Sequence, residues 1–217
     1  MTRNEIREQL SRSLEDQGLI HFTNDDLNDS LQDGYDLIAL SSLCVERITS
    51  LTFVANRVYY DFATLISNFY SLTAIFNTRT NRWIEIKPYG WLATCGDNWE
   101  TLHGETQFAA PVGISTIAFH PTIQESAGEF VVLYKAQAPI LGDTSQPEFH
   151  PEKHSILLDY SFADLMHQNL EYAKANLKFA KFLAELNTVK QFIMLKDQPA
   201  RRFALLCQYL TTPTSSL

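Results

Sequence analysis

Glycine is scarce. The chain holds 8 in 217 residues. None stands in a GxGxxG or Walker-type loop, so there is little material for a backbone cradle around phosphate. Gly113-Ile114-Ser115 starts like a nucleophile elbow but lacks the second glycine. Cysteine is scarcer still. Cys44, Cys95 and Cys207 are odd in number, far apart and without CxxC spacing, which argues against a zinc ribbon or a disulfide framework and for buried reduced thiols. Basic charge is the minority sign: 17 Lys and Arg against 25 Asp and Glu give a net charge of -8 and a pI near 5.2. Tight nucleic-acid binding, which needs a concentrated basic surface, is therefore not expected. A wall past which DNA slides is compatible, because negative charge repels phosphate. Long apolar runs are also missing. The stretch Ala63–Phe76 is broken by Thr64, Ser67, Asn68, Ser71 and Thr73, and no membrane span is expected. Arg3, Glu5, Arg7 and Glu8 interrupt what would have to be a signal peptide, so a soluble protein made inside the cell is the expectation. Apolar residues make up 45%, enough for a sizeable core.

What is present is a helical signature at both ends and a β-like middle. Thr2 with Glu5 three residues on has capping-box spacing, and Ile6, Leu10 and Leu14 lie four apart on one face from about Arg3 to Asp16, with Gly18 expected to end the helix. A second helix starts after Thr23 or Asn24, with Asp25 and Asp26 in its first turn and Phe22 and Leu27 placed as a hydrophobic staple. Leu27, Leu31, Tyr35 and Ile38 make its apolar stripe, and Asn28, Asp29, Gln32, Asp33 and Asp36 its acidic outer side. Pro151 suits the first position of a further helix. Over 151–196, Phe162, Leu165, Leu170, Ala173, Leu177, Ala180 and Ala184 keep helical spacing, beside a solvated stripe of Lys174, Lys178, Lys181 and Glu185. Tyr172, Phe179, Phe182 and Leu186 fall outside that main stripe. Two arrangements satisfy this aromatic excess: a wide core stripe within one chain, or a second buried side against a neighbouring copy.

Between the helical ends, Val45, Ile48, Thr49, Thr52 and Phe53 read as a strand, as do Tyr59–Phe62, Leu72–Phe76, Arg82–Pro88, Ser115–Phe119 and Phe130–Lys135. The Asn77–Asn81 turn reads as a hairpin connection, whereas Phe108–Gly113 reads as a break. The expected fold class is α+β: a helical base formed by N-terminal and C-terminal helices, with an inserted antiparallel β domain. The ends should meet in space because neither helix pair can bury its stripe alone. The expected divisions are 1–45 and 147–198 for the base, 46–146 for the β-rich insertion, and 199–217 for a C-terminal anchor or tail.

Chemistry is thin. His150 and His154 have the four-residue spacing of a metal pair, but no third ligand is evident and Pro151 disturbs the helix at the first. Cys95 and His103, with Asp97, Glu100 or Glu105, can be drawn as nucleophile, base and orienter, but the sequence around Cys95 matches no nucleophile signature. Tyr59, Tyr60, Trp83, Tyr89, Trp91 and Trp99 could stack sugars or bases, although strand aromatics more often pack on each other. The expectation is no catalytic residue, no metal and no cofactor. A small cysteine-dependent hydrolase and a carbohydrate-binding module are the alternatives.

The order of segments is more informative than any one of them. A capped helix over Phe22–Ile38 is followed by the strand entry Tyr59–Phe62, by Ala118-Phe119-His120-Pro121, by Val131–Pro139, and by a proline-initiated helix pair over Pro147–Ala184. Val132-Leu133-Tyr134-Lys135-Ala136-Gln137-Ala138-Pro139, then a loop to Pro147 and Pro151, is the most telling stretch. This order resembles the head-to-tail adaptor, or connector, proteins of tailed bacteriophages, of the short-tailed-phage type. Asp61 follows Tyr60 where that pattern has proline, and the Cys95–Glu105 loop has no counterpart in it. The resemblance implies a structural virion protein of the neck, assembled in the host cytoplasm. Its copies would form a dodecameric ring below the portal protein, around a channel that genomic DNA crosses without sequence-specific binding. It implies a tail or nozzle protein, and tail fibres, as further partners, and no membrane. It gives Arg201, Arg202, Phe203, Leu205, Leu206, Tyr209 and Leu210 a portal-binding role, and makes Tyr172, Phe179, Phe182 and Leu186 candidates for the contact between copies.

Overall fold

The computed structural model describes residues 1–16, 18, 20–123 and 129–196. In chain order the helices are α1 (Arg3–Ser13), α2 (Asn24–Ser42), α3 (Phe62–Leu65), α4 (Tyr89–Leu92), α5 (Ser155–Gln168) and α6 (Tyr172–Lys196). The strands are β1 (Glu46–Thr52), β2 (Tyr59–Asp61), β3 (Phe69–Asn77), β4 (Arg82–Ile86), β5 (His103–Gly104), β6 (Phe108–Pro111), β7 (Thr116–His120), β8 (Thr122–Ile123) and β9 (Glu129–Ala136). The chain is α+β and divides into two compact units: Met1–Val45 with residues 137–196, and Glu46–Ala136.

In the helical unit, α1 begins with the expected capping box. The Thr2 hydroxyl accepts the Glu5 N–H and the Glu5 carboxylate accepts the Thr2 N–H at 2.9 Å. It ends earlier than Gly18. Leu14 caps it, Glu15 takes the left-handed conformation (φ 59), and the buried carboxylate of Asp16 accepts the N–H groups of Ile20, His21 and Phe22 at 2.9–3.0 Å. Those bonds, rather than glycine, fix the turn. Thr23 and Asp26 cap α2 reciprocally. Ile6 and Leu10 of α1, Leu27, Leu31, Tyr35 and Ile38 of α2, Ile156, Leu157 and Leu165 of α5, and Phe182, Leu186 and Val189 of α6 share one core. Each such side chain contributes about 1.5–3 kcal/mol by leaving water. Gly34 lets α2 approach α5: a Cβ there would stand 2.6 Å from Cδ1 of Tyr160. Pro151 opens a separate turn of 3₁₀-helix, Pro151–Lys153, and α5 starts at Ser155.

The stripe expected on α6 is not the one it buries. Leu177 is 74% exposed, and Ala173, Ala180 and Ala184 are exposed as well, whereas Ala175, Phe182, Leu186 and Val189 face the core. Two apolar rows run along this helix, and the row with the larger side chains removes more apolar surface from water.

In the strand unit, the seven-stranded sheet has the order β1-β9-β3-β4-β6-β7-β2. Its pairs are antiparallel except β4–β6, and the separate β5–β8 pair is also parallel. The inserted part is thus mostly, not wholly, antiparallel. The β3–β4 hairpin turns where expected: Asn77 Oδ1 accepts the N–H of Arg79 at 3.0 Å, and Asn81 takes φ 55. The break expected at 108–113 is instead β6, paired to both β4 and β7, with Pro111 at its last position, where a missing donor is tolerated. Phe53 centres the core of this unit, with ring centroids 4.6 Å from Tyr60, 4.9 Å from Phe119, 5.0 Å from Phe130 and 5.9 Å from Phe62.

Candidate functional site

The residues expected to act fall into groups that the structure treats differently. Arg201, Arg202, Phe203, Leu205, Leu206, Tyr209 and Leu210 lie outside the described residues. Of the four candidates for a contact between copies, Phe182 and Leu186 are buried in the chain's own core, while Tyr172 and Phe179 stay 49% and 41% exposed. Phe179 stacks on Phe182 at 5.7 Å, so one ring seats the other at the surface. Tyr172 stands edge-on to His167 at 5.1 Å.

These exposed rings flank a pocket that sequence reasoning missed. It lies between α5 and α6, has a volume of about 310 Å³, and is walled by Tyr160, Asp164 and His167 from one helix and Asn176 and Phe179 from the other. Beside it, α2 presents its acidic side. Asp33 has its carboxyl raised above the ordinary range, by burial first and then by the charges of Asp164, Asp36 and Asp29. On the other side of α6, Asp159 is nearly buried and receives Lys178 at 3.2 Å and Lys181 at 2.7 Å. The lysine spacing had marked a solvated stripe. That two of its members converge on an aspartate nineteen or more residues upstream follows only once α5 and α6 pack.

The residues that could have carried chemistry are engaged otherwise. His154 is buried, with Nδ1 3.0 Å from the Met1 nitrogen and Nε2 3.0 Å from the Phe149 carbonyl. Burial holds its ring below the ordinary imidazole range. His150 accepts the Glu152 N–H and caps the 3₁₀ turn. No group of three or more His, Cys, Asp or Glu that could hold a metal occurs among the described residues. The Cys95 thiol donates to the Trp91 carbonyl at 3.8 Å, and Glu100 accepts the Tyr59 hydroxyl. Among the described residues no hydrogen bond joins Cys95 to His103. The middle aromatics pack mainly on one another: Trp99 lies edge-on to Tyr59 at 6.2 Å and to Tyr89 at 6.5 Å, and Trp91 lies 4.6 Å from Phe108. No helix among the described residues is long and apolar enough to cross a membrane.

Among the described residues, three surface features gather around α6: an exposed apolar face, a pocket beside it, and an acidic flank. No curated protein matches the chain. A family model described as SU10 adaptor protein matches residues 1–204. The chain belongs to the SU10 adaptor protein family, structural phage proteins that join head to tail.

Proposed function

We propose that this chain forms a ring below the portal of a short-tailed phage, joins capsid to tail, and leaves a central channel for the genome. The helical unit makes the ring, twelve copies being the number that the resemblance implies, and the strand unit offers contacts to a tail or nozzle protein and to fibres. The portal is held by the 199–217 segment through Arg201, Arg202, Phe203, Leu205, Leu206, Tyr209 and Leu210. The observation that carries the reading is the outer face of α6. Leu177, Leu183, Tyr172 and Phe179 are exposed large apolar side chains on one helix of a structural protein, and a patch of this kind marks an interaction site. Tyr172 and Phe179 supply the contact between copies, with Phe182 and Leu186 supporting them from the core. The net charge of -8 suits a channel wall that repels DNA rather than retaining it.

The reading is tested by sedimentation with phage particles and with purified portal rings. The full chain is expected to travel with both. A chain lacking residues 200–217 is expected to lose the portal. Undiminished portal binding by the shortened chain would remove the anchor role, and absence of the full chain from particles would remove the neck assignment.

A further inference from the structure

We infer that two exposed shoulders of α6 are the complementary halves of one contact: the pocket between α5 and α6 of one copy receives Leu177 of the next. The inference rests on the ring reading above and names the faces that meet.

Around α6, successive residues are offset by about 100°, so residues three and four apart form rows. One row is Tyr172, Asn176, Phe179 and Leu183. The next is Ala173, Leu177, Ala180 and Ala184. The third is Lys174, Lys178, Lys181 and Glu185. The first two are exposed and carry no charge. In the second row Leu177 stands out between alanines, which allow another helix close approach. It is a knob. The first row edges the pocket of about 310 Å³, with Phe179 and Tyr160 as apolar walls and Asp164, His167 and Asn176 as polar ones. That is a hole. A knob and a hole facing different directions on one chain make a head-to-tail contact, which closes into a ring when the rotation between copies closes.

Charge separates this arrangement from its alternative. On the pocket side, Asp29, Asp33, Asp36 and Asp164 crowd one another, and no Lys, Arg or His among the described residues pairs with them within ion-pair distance. On the knob side the charges balance: Lys174 pairs with Glu171 at 2.6 Å, Lys178 and Lys181 share the buried Asp159, and Lys181 also reaches Glu185 at 3.7 Å. Head-to-tail packing sets this charge-balanced face, its lysine ammonium groups open to solvent, against the acidic flank. Pocket-to-pocket packing would bring acid against acid, which opposes association.

The test uses disulfide trapping. In a chain with Cys44, Cys95 and Cys207 replaced by serine, His167→Cys and Leu177→Cys are introduced singly and together. The concentrated chain, and phage particles that carry it, are then oxidised and run on a non-reducing gel. A ladder of covalent oligomers is expected from the double variant and none from either single variant. A dimer from Leu177→Cys alone would mean that the knob meets itself and would overturn the proposal, as would a double variant that stays monomeric in both samples. Because Leu177 is exposed, Leu177→Asp is expected to leave thermal unfolding unchanged and to weaken self-association at least tenfold. Unchanged association would overturn the proposal. A chain missing from particles counts against the neck reading, whereas a chain present but unlinked counts against this contact alone.

Discussion

The carboxylate of Asp159 on α5 stands 2.7 Å from the ammonium group of Lys181 on α6, and shares its charge with Lys178 at 3.2 Å. The aspartate side chain is 4% exposed, while both lysines reach solvent. This asymmetry sets what mutation should do. Lys178→Ala or Lys181→Ala alone leaves one partner in place and is expected to cost about 0.5–1 kcal/mol. The double variant strands a buried carboxylate and is expected to cost about 3–5 kcal/mol, more than the sum of the singles. Urea unfolding midpoints at unchanged slope measure the difference.

Gly34→Ala tests the approach of α2 to α5. Alanine is the better helix former by about 1 kcal/mol, so an open site would gain stability. Here the added Cβ meets Cδ1 of Tyr160 at 2.6 Å, and a ring packed at that point cannot swing away as a flexible chain end would. The variant is expected to lose about 1–3 kcal/mol. Because Tyr160 also walls the α5–α6 pocket, Gly34→Ala should weaken self-association too. A more stable variant would show that the ring yields freely.

Asp16 predicts an acid-side loss of stability. Burial raises its carboxyl, but the hydrogen bonds from Phe22, Ile20 and His21 outweigh this and hold it below the ordinary value of 3.8. The folded group therefore binds its proton less readily than the unfolded one. Its contribution is complete above that ordinary value and is lost as pH falls through the lower folded one. Asp16→Asn is expected to reduce stability at neutral pH and to flatten the decline below about pH 4. Unfolding midpoints of both chains between pH 2 and pH 7 give the comparison.

Phe53→Ala is expected to be the most damaging single change in the strand unit. The ring is almost fully buried and touches Tyr60, Phe62, Phe119 and Phe130. Truncation leaves a cavity in a ring-lined core and is expected to cost about 3–5 kcal/mol. Near-ultraviolet circular dichroism would report the loss of fixed aromatic packing along with the lowered midpoint.

What was legible in the sequence was what neighbours in the chain decide. The Thr2–Glu5 cap follows from spacing alone, as does the turn at Asn77, while the sequence narrows the second helix start only to Thr23 or Asn24 and the structure selects Thr23. What was not legible was what distant packing decides. The sequence offers α6 two apolar rows two residues apart, and only contact with Leu157, Tyr35 and their neighbours selects the row of Phe182 and Leu186 for burial. Pro111 and Gly113 look like a break because they are read without β4 and β7, the strands that turn 108–111 into a ladder. The central place of β9 between β1 and β3 pairs segments more than fifty residues apart, beyond any local signal. The candidate assembly residues were visible as an aromatic excess, but their division into inward and outward members was not.

That division gives the most direct test of how α6 works. Phe179 and Phe182 are three residues apart with ring centroids 5.7 Å apart, yet one is 41% exposed and the other fully buried. Phe182→Ala removes a core side chain and is expected to cost about 3–5 kcal/mol of folding stability. Phe179→Ala removes a ring that already borders water, so stability is expected to change by no more than about 1 kcal/mol. Assembly should respond in the opposite order. At a temperature where both chains are folded, Phe179→Ala should lose docking into rings, because its ring walls the pocket and part of its surface is free for another copy. Folded Phe182→Ala should retain more of it. If both variants lost stability and assembly in parallel, the outer ring would be acting only as support for the inner one, and α6 would have no separate face for a neighbour.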